Sequence, residues 1–243
     1  MTWTSSHFLT IPLAYAVILA LALLSRRIRP DARLWGYRIV LIVLYVGEAV
    51  KQVLGLIRGY PLNYIPLHFS STFYICFSLF AFGRGAVRQT GACVSFISGF
   101  FLFVAMTVNP TAVVGDTSLL FTDYVRAHSY FYHVLVLLMW GMLLAQDAYR
   151  PKKGDVFKFW IYLLCWAVPA VIGSYALNVN YAGILKSYIP LLEKVREAAG
   201  DAVYLLAYTA FAFALSGLIV WCYGRIRAAI EQRTAPAKKH SAA

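Results

Sequence analysis

Seven predominantly apolar stretches, each close to the ~20 residues that a helix needs to cross a bilayer, decide what this chain can fold into. They run Phe8 to Leu24, Trp35 to Leu54, Tyr64 to Phe82, Gly91 to Val108, Tyr130 to Gln146, Phe157 to Leu177, and Ala202 to Tyr223. With 61% hydrophobic residues and only 13% charged ones over 243 residues, the chain has too little polar surface for a soluble globule. The expected fold is therefore all-α: a polytopic bundle of seven transmembrane helices. Residues 1–224 are expected to form one membrane domain, and the basic, alanine-containing stretch 225–243 a disordered cytoplasmic tail.

The net charge of +12 raises the question of a nucleic-acid partner, and the placement of the charges answers it. Basic residues gather in four segments: Arg26 to Arg38, Arg84 and Arg88, Arg150 to Lys158, and the tail from Arg225 to Lys239. With seven spans, all four fall on one side of a membrane only if the N-terminus is outside and the C-terminus is in the cytoplasm. Attraction to anionic lipid explains the excess charge, so membrane lipids are the expected partners and nucleic acid is not. Arg26, Arg27 and Arg29 follow the first apolar run and no basic residue precedes it, the reverse of a cleavable signal peptide.

Within the spans, polar residues are costly and mark candidate sites. The run Asn63-Tyr64-Ile65-Pro66-Leu67-His68-Phe69-Ser70-Ser71-Thr72 is the densest such cluster. Pro66 is expected to start the third helix, with His68 in its first turn and Ser71 and Thr72 on the same face. Glu48, Lys51 and Gln52 share one face near the outer end of the second span, where an ion pair would offset the cost of burying either charge. Asn109, before Pro110, closes the fourth span. His128 and His133 open the fifth, about 140° apart around a helix, a spacing unsuited to a shared metal. Asn178, Asn180 and Tyr181 follow the sixth. All these groups occupy one level, which predicts a polar pocket opening toward the extracytoplasmic leaflet. Pro190 to Ala199 reads as a short amphipathic helix lying on that interface.

No phosphate loop, nucleotide fingerprint or metal-ligand set is present in the sequence, so no metal and no cofactor is expected. Cys76, Cys93, Cys165 and Cys222 lie in apolar spans without a Cys-x-x-Cys pair and read as small hydrophobes.

The Ile-Pro-Leu-His run with its small polar residues, the proline after the fourth span, a histidine near the start of the fifth, Arg150-Pro151, and Asn178-Val179-Asn180-Tyr181 together resemble the YwaF family. These are bacterial seven-helix membrane proteins, grouped with the eukaryotic transmembrane protein 164. The resemblance covers about Trp35 to Tyr208 and implies a multi-pass protein of the bacterial inner membrane. The eukaryotic relative implies lipid acyl transfer by a cysteine and a histidine. The cysteine of many bacterial relatives falls on Ser70 here, and that of the eukaryotic relative on Leu67, so a thiol is at neither place.

Two functional classes follow. In the first, a lipid acyltransferase or hydrolase, Ser70, Ser71 or Thr72 is the nucleophile and His68, His128 or His133 the base, with Asn109 or Asn178 donating to an oxyanion. In the second, a transporter or lipid-binding protein, Glu48, Lys51, Gln52, Asn109, Asn178, Asn180 and Tyr181 line a pocket that makes and breaks no bonds. The topology is directly testable. A cysteine at Ser5 is expected to react with impermeant thiol reagents applied from outside intact cells, and labelling only from the cytoplasm would reverse the assignment.

Overall fold

The computed structural model describes residues 3–57 and 59–234. It is all-helical, with α1 (His7–Ser25), α2 (Arg33–Ile57), α3 (Phe73–Phe82), α4 (Gly85–Val108), the short α5 (Pro110–Val114), α6 (Tyr124–Ala145), α7 (Asp155–Leu177) and α8 (Pro190–Thr234). Seven segments are long and apolar enough to cross a membrane, the third being Leu62–Phe82, which joins α3 to the turns before it. The protein is thus a multi-pass membrane protein whose outer faces, carrying side chains such as Leu9, Ile39, Leu56, Ile172 and Leu206, meet lipid.

The bundle is built around α4 and α6. α4 packs on α3, α6 and α7; α2 leans on α3 and α6; and α1 lies along α6. Their shared core is aromatic, with Phe73, Phe77, Tyr149 and Phe159 fully buried. At one end of the bundle, polar bonds fasten the start of α1 to the 109–123 loop. His7 Nδ1 accepts from the Thr4 N–H and its Nε2 donates to the Gly115 carbonyl, while the Ser6 hydroxyl donates to Asp116. At the other end, buried Asp155 opens α7 and accepts from the Lys152 N–H, the Tyr149 hydroxyl and the Lys158 ammonium.

Three local departures from the sequence reading have physical causes. α6 begins six residues before Tyr130, because Asp123 caps it by accepting from the Val125 and Arg126 N–H groups. Gly200 (φ 83°) breaks α8 and separates the 190–199 arm from the long span, leaving the expected short interfacial helix as a distinct element. Finally, Arg225 to Thr234, read as tail, continue α8. Good helix formers follow one another there without glycine or proline, and Arg227 pairs with Asp147 and Glu231. The remainder of that expected tail, 235–243, lies outside the described residues.

The largest departure is at Pro66 to Thr72. No helix starts at Pro66. His68 is extended (φ −65°, ψ 145°), residues 69–72 form a single 3-10 turn, and α3 begins only at Phe73. Carbonyls left without helical partners in an apolar span must find donors elsewhere. Side chains supply two of them, Gln52 Nε2 bonding to Tyr64 O (3.0 Å) and Trp166 Nε1 to Leu67 O (3.1 Å), and add a second donor to carbonyls that already accept a turn or helix N–H: Tyr181 Oη to Leu62 O (2.6 Å), Tyr132 Oη to Ser70 O, and Tyr162 Oη to Thr72 O (2.6 Å). Leu67 itself docks on α7 at Gly173, where a Cβ would collide with the leucine. Tertiary partners have replaced the helix.

Leu67 O has only Trp166 Nε1 as a donor among the described residues, so deleting that donor strands a carbonyl, which costs about 1–3 kcal/mol. Trp166→Phe is expected to lower stability by about that amount in detergent thermal unfolding, and Tyr162→Phe by about 0.5–1.5 kcal/mol, because Thr72 O keeps its bond as the N-cap carbonyl of α3. Tyr175→Phe, which loses only an exposed bond to Asp201, should change it by less than ~0.5 kcal/mol.

Candidate functional site

A cavity of about 820 Å³ lies between the broken segment and α2, α4, α6, α7 and α8. One part of its lining is polar, with Glu48, Lys51, His68, Ser70, Ser71, Asn109, His128 and His133. The rest is an apolar slot whose walls include Leu102 and Val104 of α4, Leu163 and Val171 of α7, and Phe211 and Leu215 of α8. An amphipathic cavity of this kind matches a molecule with a polar head and a hydrocarbon tail.

The charged wall comes from α2. Lys51 Nζ lies 2.7 Å from Glu48 Oε1, and both side chains are under one-fifth exposed, at 17% and 19%. Gln52 Nε2 donates to the same oxygen at 2.6 Å, and the Tyr60 hydroxyl donates to Gln52 Oε1. On the other oxygen, Glu48 Oε2 receives the Tyr74 hydroxyl at 3.4 Å and faces His128 Nε2 at 3.6 Å. Lys51 also stands over the Tyr64 ring, 5.8 Å from its centre. The pair is therefore neutralised internally and embedded in hydrogen bonds, the condition under which buried charges are tolerated.

The histidines come from α6 and the broken segment. His128 and His133 flank Tyr132: the His128 ring stacks on it at 6.0 Å, and the His133 ring meets it edge-on at 5.1 Å. Tyr132 in turn holds the Ser70 carbonyl, which ties the serine run to both imidazoles. His133 is buried, and its Nδ1 donates to the Ser129 carbonyl at 2.6 Å, since a carbonyl can only accept. That bond fixes the ring and leaves Nε2 as its unbonded nitrogen among the described residues. His68 packs edge-on against Tyr181 at 5.1 Å, and neither of its ring nitrogens makes a hydrogen bond among the described residues.

Some of the expected site residues are placed elsewhere. Thr72 is buried, and its hydroxyl turns back to the Phe69 carbonyl, so it does not share a cavity face with His68. Gln52 supports Glu48 and the Tyr64 carbonyl from behind the cavity wall. Asn178 is the left-handed cap of α7 (φ 52°), a backbone role. The Asn180 amide is consumed by its own loop, accepting from the Leu185 and Lys186 N–H groups and donating to Lys186 O. Tyr181 is buried behind His68; burial pushes its phenol above the ordinary range, so it stays a neutral donor to Leu62 O. Asn109 does line the cavity, with its Oδ1 accepting from the Ala112 N–H. Among the described residues, no group of three or more His, Cys, Asp or Glu could hold a metal.

Sequence reasoning missed Tyr132, Tyr162 and Trp166, which hold the serine run in place. Each looks like one more aromatic residue in an apolar span, and nothing local marks it as a donor.

The Glu48 and Lys51 pair is open to a double-mutant cycle. Glu48→Gln and Lys51→Met are each expected to lower thermal stability in detergent by about 3–5 kcal/mol, and the double variant by less than their sum. Additive losses would show that the two charges do not interact.

No curated protein and no solved structure gives a significant match to this chain. The sequence profile of the TMEM164 family matches residues 2–220, nearly the whole of the described bundle. The chain belongs to the TMEM164 family of membrane proteins.

Proposed function

We propose that the chain binds a lipid-like ester in its amphipathic cavity and catalyses acyl transfer or hydrolysis, with His133 as general base and Ser70 or Ser71 as nucleophile. The single observation that carries this reading is the His133 bond to Ser129 O, which orients an imidazole in a cavity that both serines also line. Neither serine hydroxyl makes a hydrogen bond among the described residues, so neither is committed to the backbone as Thr72 is. A serine hydroxyl is a weak nucleophile and needs such a base.

In the proposed reaction the serine Oγ attacks the ester carbonyl while His133 Nε2 takes the hydroxyl proton. Asn109 Nδ2 donates to the oxygen that gains negative charge. The ester C–O bond then breaks, the leaving alkoxide takes the proton from His133, and the acyl group stays on serine until water or a second alcohol accepts it. The distribution of the basic loops supports a cavity in the extracytoplasmic leaflet. The Ile65-Pro66-Leu67-His68 run supports assignment to the YwaF-like, bacterial branch of the family, and hence to the inner membrane.

A second reading has its own support. No serine hydroxyl is hydrogen-bonded to a histidine among the described residues, and hydrolysis has no need of the Glu48 and Lys51 pair. Both facts favour binding or transport without chemistry.

Turnover separates the two. The purified protein in nanodiscs carrying acyl-labelled phospholipid is expected to release or transfer label, and His133→Ala should slow that by about 100-fold or more. Equal turnover by wild type and His133→Ala would remove the base. Saturable binding without turnover by the wild type would favour the second reading.

A further inference from the structure

One charge at this cavity is not neutralised. The acidic and basic side chains along its wall are Glu48, Lys51 and Arg126, and the first two pair with one another. Arg126 lies in the first turn of α6 and lines the cavity that Asn109 and Ser129 also line. Its guanidinium rests against Gly115, whose left-handed backbone (φ +71°) and missing side chain make the room. A Cβ at that position would collide with Nη1 and sit 3.0 Å from Cζ.

The neighbouring carboxylates are spent on other donors. Asp123 Oδ1 accepts from the Val125 and Arg126 N–H groups, and Asp116 Oδ1 from the Ser6 hydroxyl and the Ser118 N–H. Among the described residues, no carboxylate lies within ion-pair distance of the Arg126 guanidinium, and the group donates no side-chain hydrogen bond. The result is an exposed, geometrically seated fork of five donors at the mouth of an apolar slot. Such a fork matches two oxygens of one anionic group, as in a phosphodiester or a carboxylate.

We infer that Arg126 is the head-group specificity residue of this cavity: it grips the anionic oxygens of an amphiphile, phosphodiester or carboxylate, while the hydrocarbon chain fills the slot behind. This rests on the reading of the cavity as an amphiphile site, whether or not a bond is then broken there. Lys51 does not serve the purpose, because Glu48 already holds it.

Calorimetric titration of the purified full chain in detergent tests the assignment with three probes of matched tail length. Dioctanoyl phosphatidylcholine carries a phosphodiester, octanoate a carboxylate, and dioctanoylglycerol neither. Wild type is expected to bind at least one anionic-group probe and also dioctanoylglycerol. Arg126→Gln should weaken the anionic-group probe about tenfold or more and leave dioctanoylglycerol unchanged, and Arg126→Lys should fall between. Loss confined to phosphatidylcholine identifies a phosphodiester head, and loss confined to octanoate a carboxylate. Gly115→Ala keeps the charge but displaces the guanidinium, and should reproduce the same selective loss. An unchanged melting temperature for Arg126→Gln guards against misfolding. Unchanged affinity for the anionic probes in Arg126→Gln, or equal weakening of all three, would overturn the role of Arg126 while leaving the cavity reading intact. A wild type that binds none of the three would overturn both.

Discussion

Five side chains from four other parts of the chain donate hydrogen bonds to the carbonyls of residues 62–72, and the shape of the polar site depends on them. A helix through that run would satisfy its own backbone and turn His68 and the serines according to helical period. Extended backbone frees those residues to face a cavity, but only where every stranded carbonyl finds a donor, because lipid offers none. Tyrosine and tryptophan are well suited to supply one, since each presents a large apolar body to the bundle and a single donor at its tip. The aromatic richness of the chain is therefore partly a hydrogen-bonding resource.

The same economy governs the charges. Glu48 serves four donors or partners at once, from Lys51, Gln52, Tyr74 and His128, so that one carboxylate organises the wall of the cavity. A lone carboxylate here would shed its charge or destabilise the fold. With Lys51 present, the α2 side of the wall is polar yet close to neutral, which leaves Arg126 of α6 as the charge without an ion-pair partner among the described residues. The rest of the cavity is walled by hydrocarbon from α4, α7 and α8, which gives it one polar and one apolar part.

The two ends of the bundle are built differently. Around the cavity, the backbone is broken, capped and irregular, with left-handed residues at Tyr60, Asn178 and Ala182. At the basic end the ties are ionic: Asp155 with Lys158, and Asp147 with both Arg150 and Arg227. The Asp147 pairs hold the 146–154 loop against the end of α8, where Asp147 itself is left-handed (φ 54°).

Sequence alone determined the seven spans, because the length and apolarity of a bilayer-crossing helix are properties of a local window. It likewise determined the Glu48 and Lys51 pairing, since residues three apart on a helix meet wherever that helix packs, and the general level of the site, since helix ends fix which polar groups lie together. What tertiary structure decided is everything that depends on a donor distant in the chain. Pro66 to Thr72 carry the local signature of a helix start, yet Tyr132, Tyr162 and Trp166 bond to their carbonyls from 62 to 99 residues away. That choice withdrew Thr72 from the cavity and kept Ser70 and Ser71 within it. Asn178 and Asn180 were legible as polar but not as capping and loop-closing residues, because an amide shows no preference between ligand and backbone until the backbone's conformation is known. Arg126 was invisible as a site residue for the converse reason: a lone arginine in a loop-proximal turn becomes informative only when the structure shows which carboxylates it does not meet.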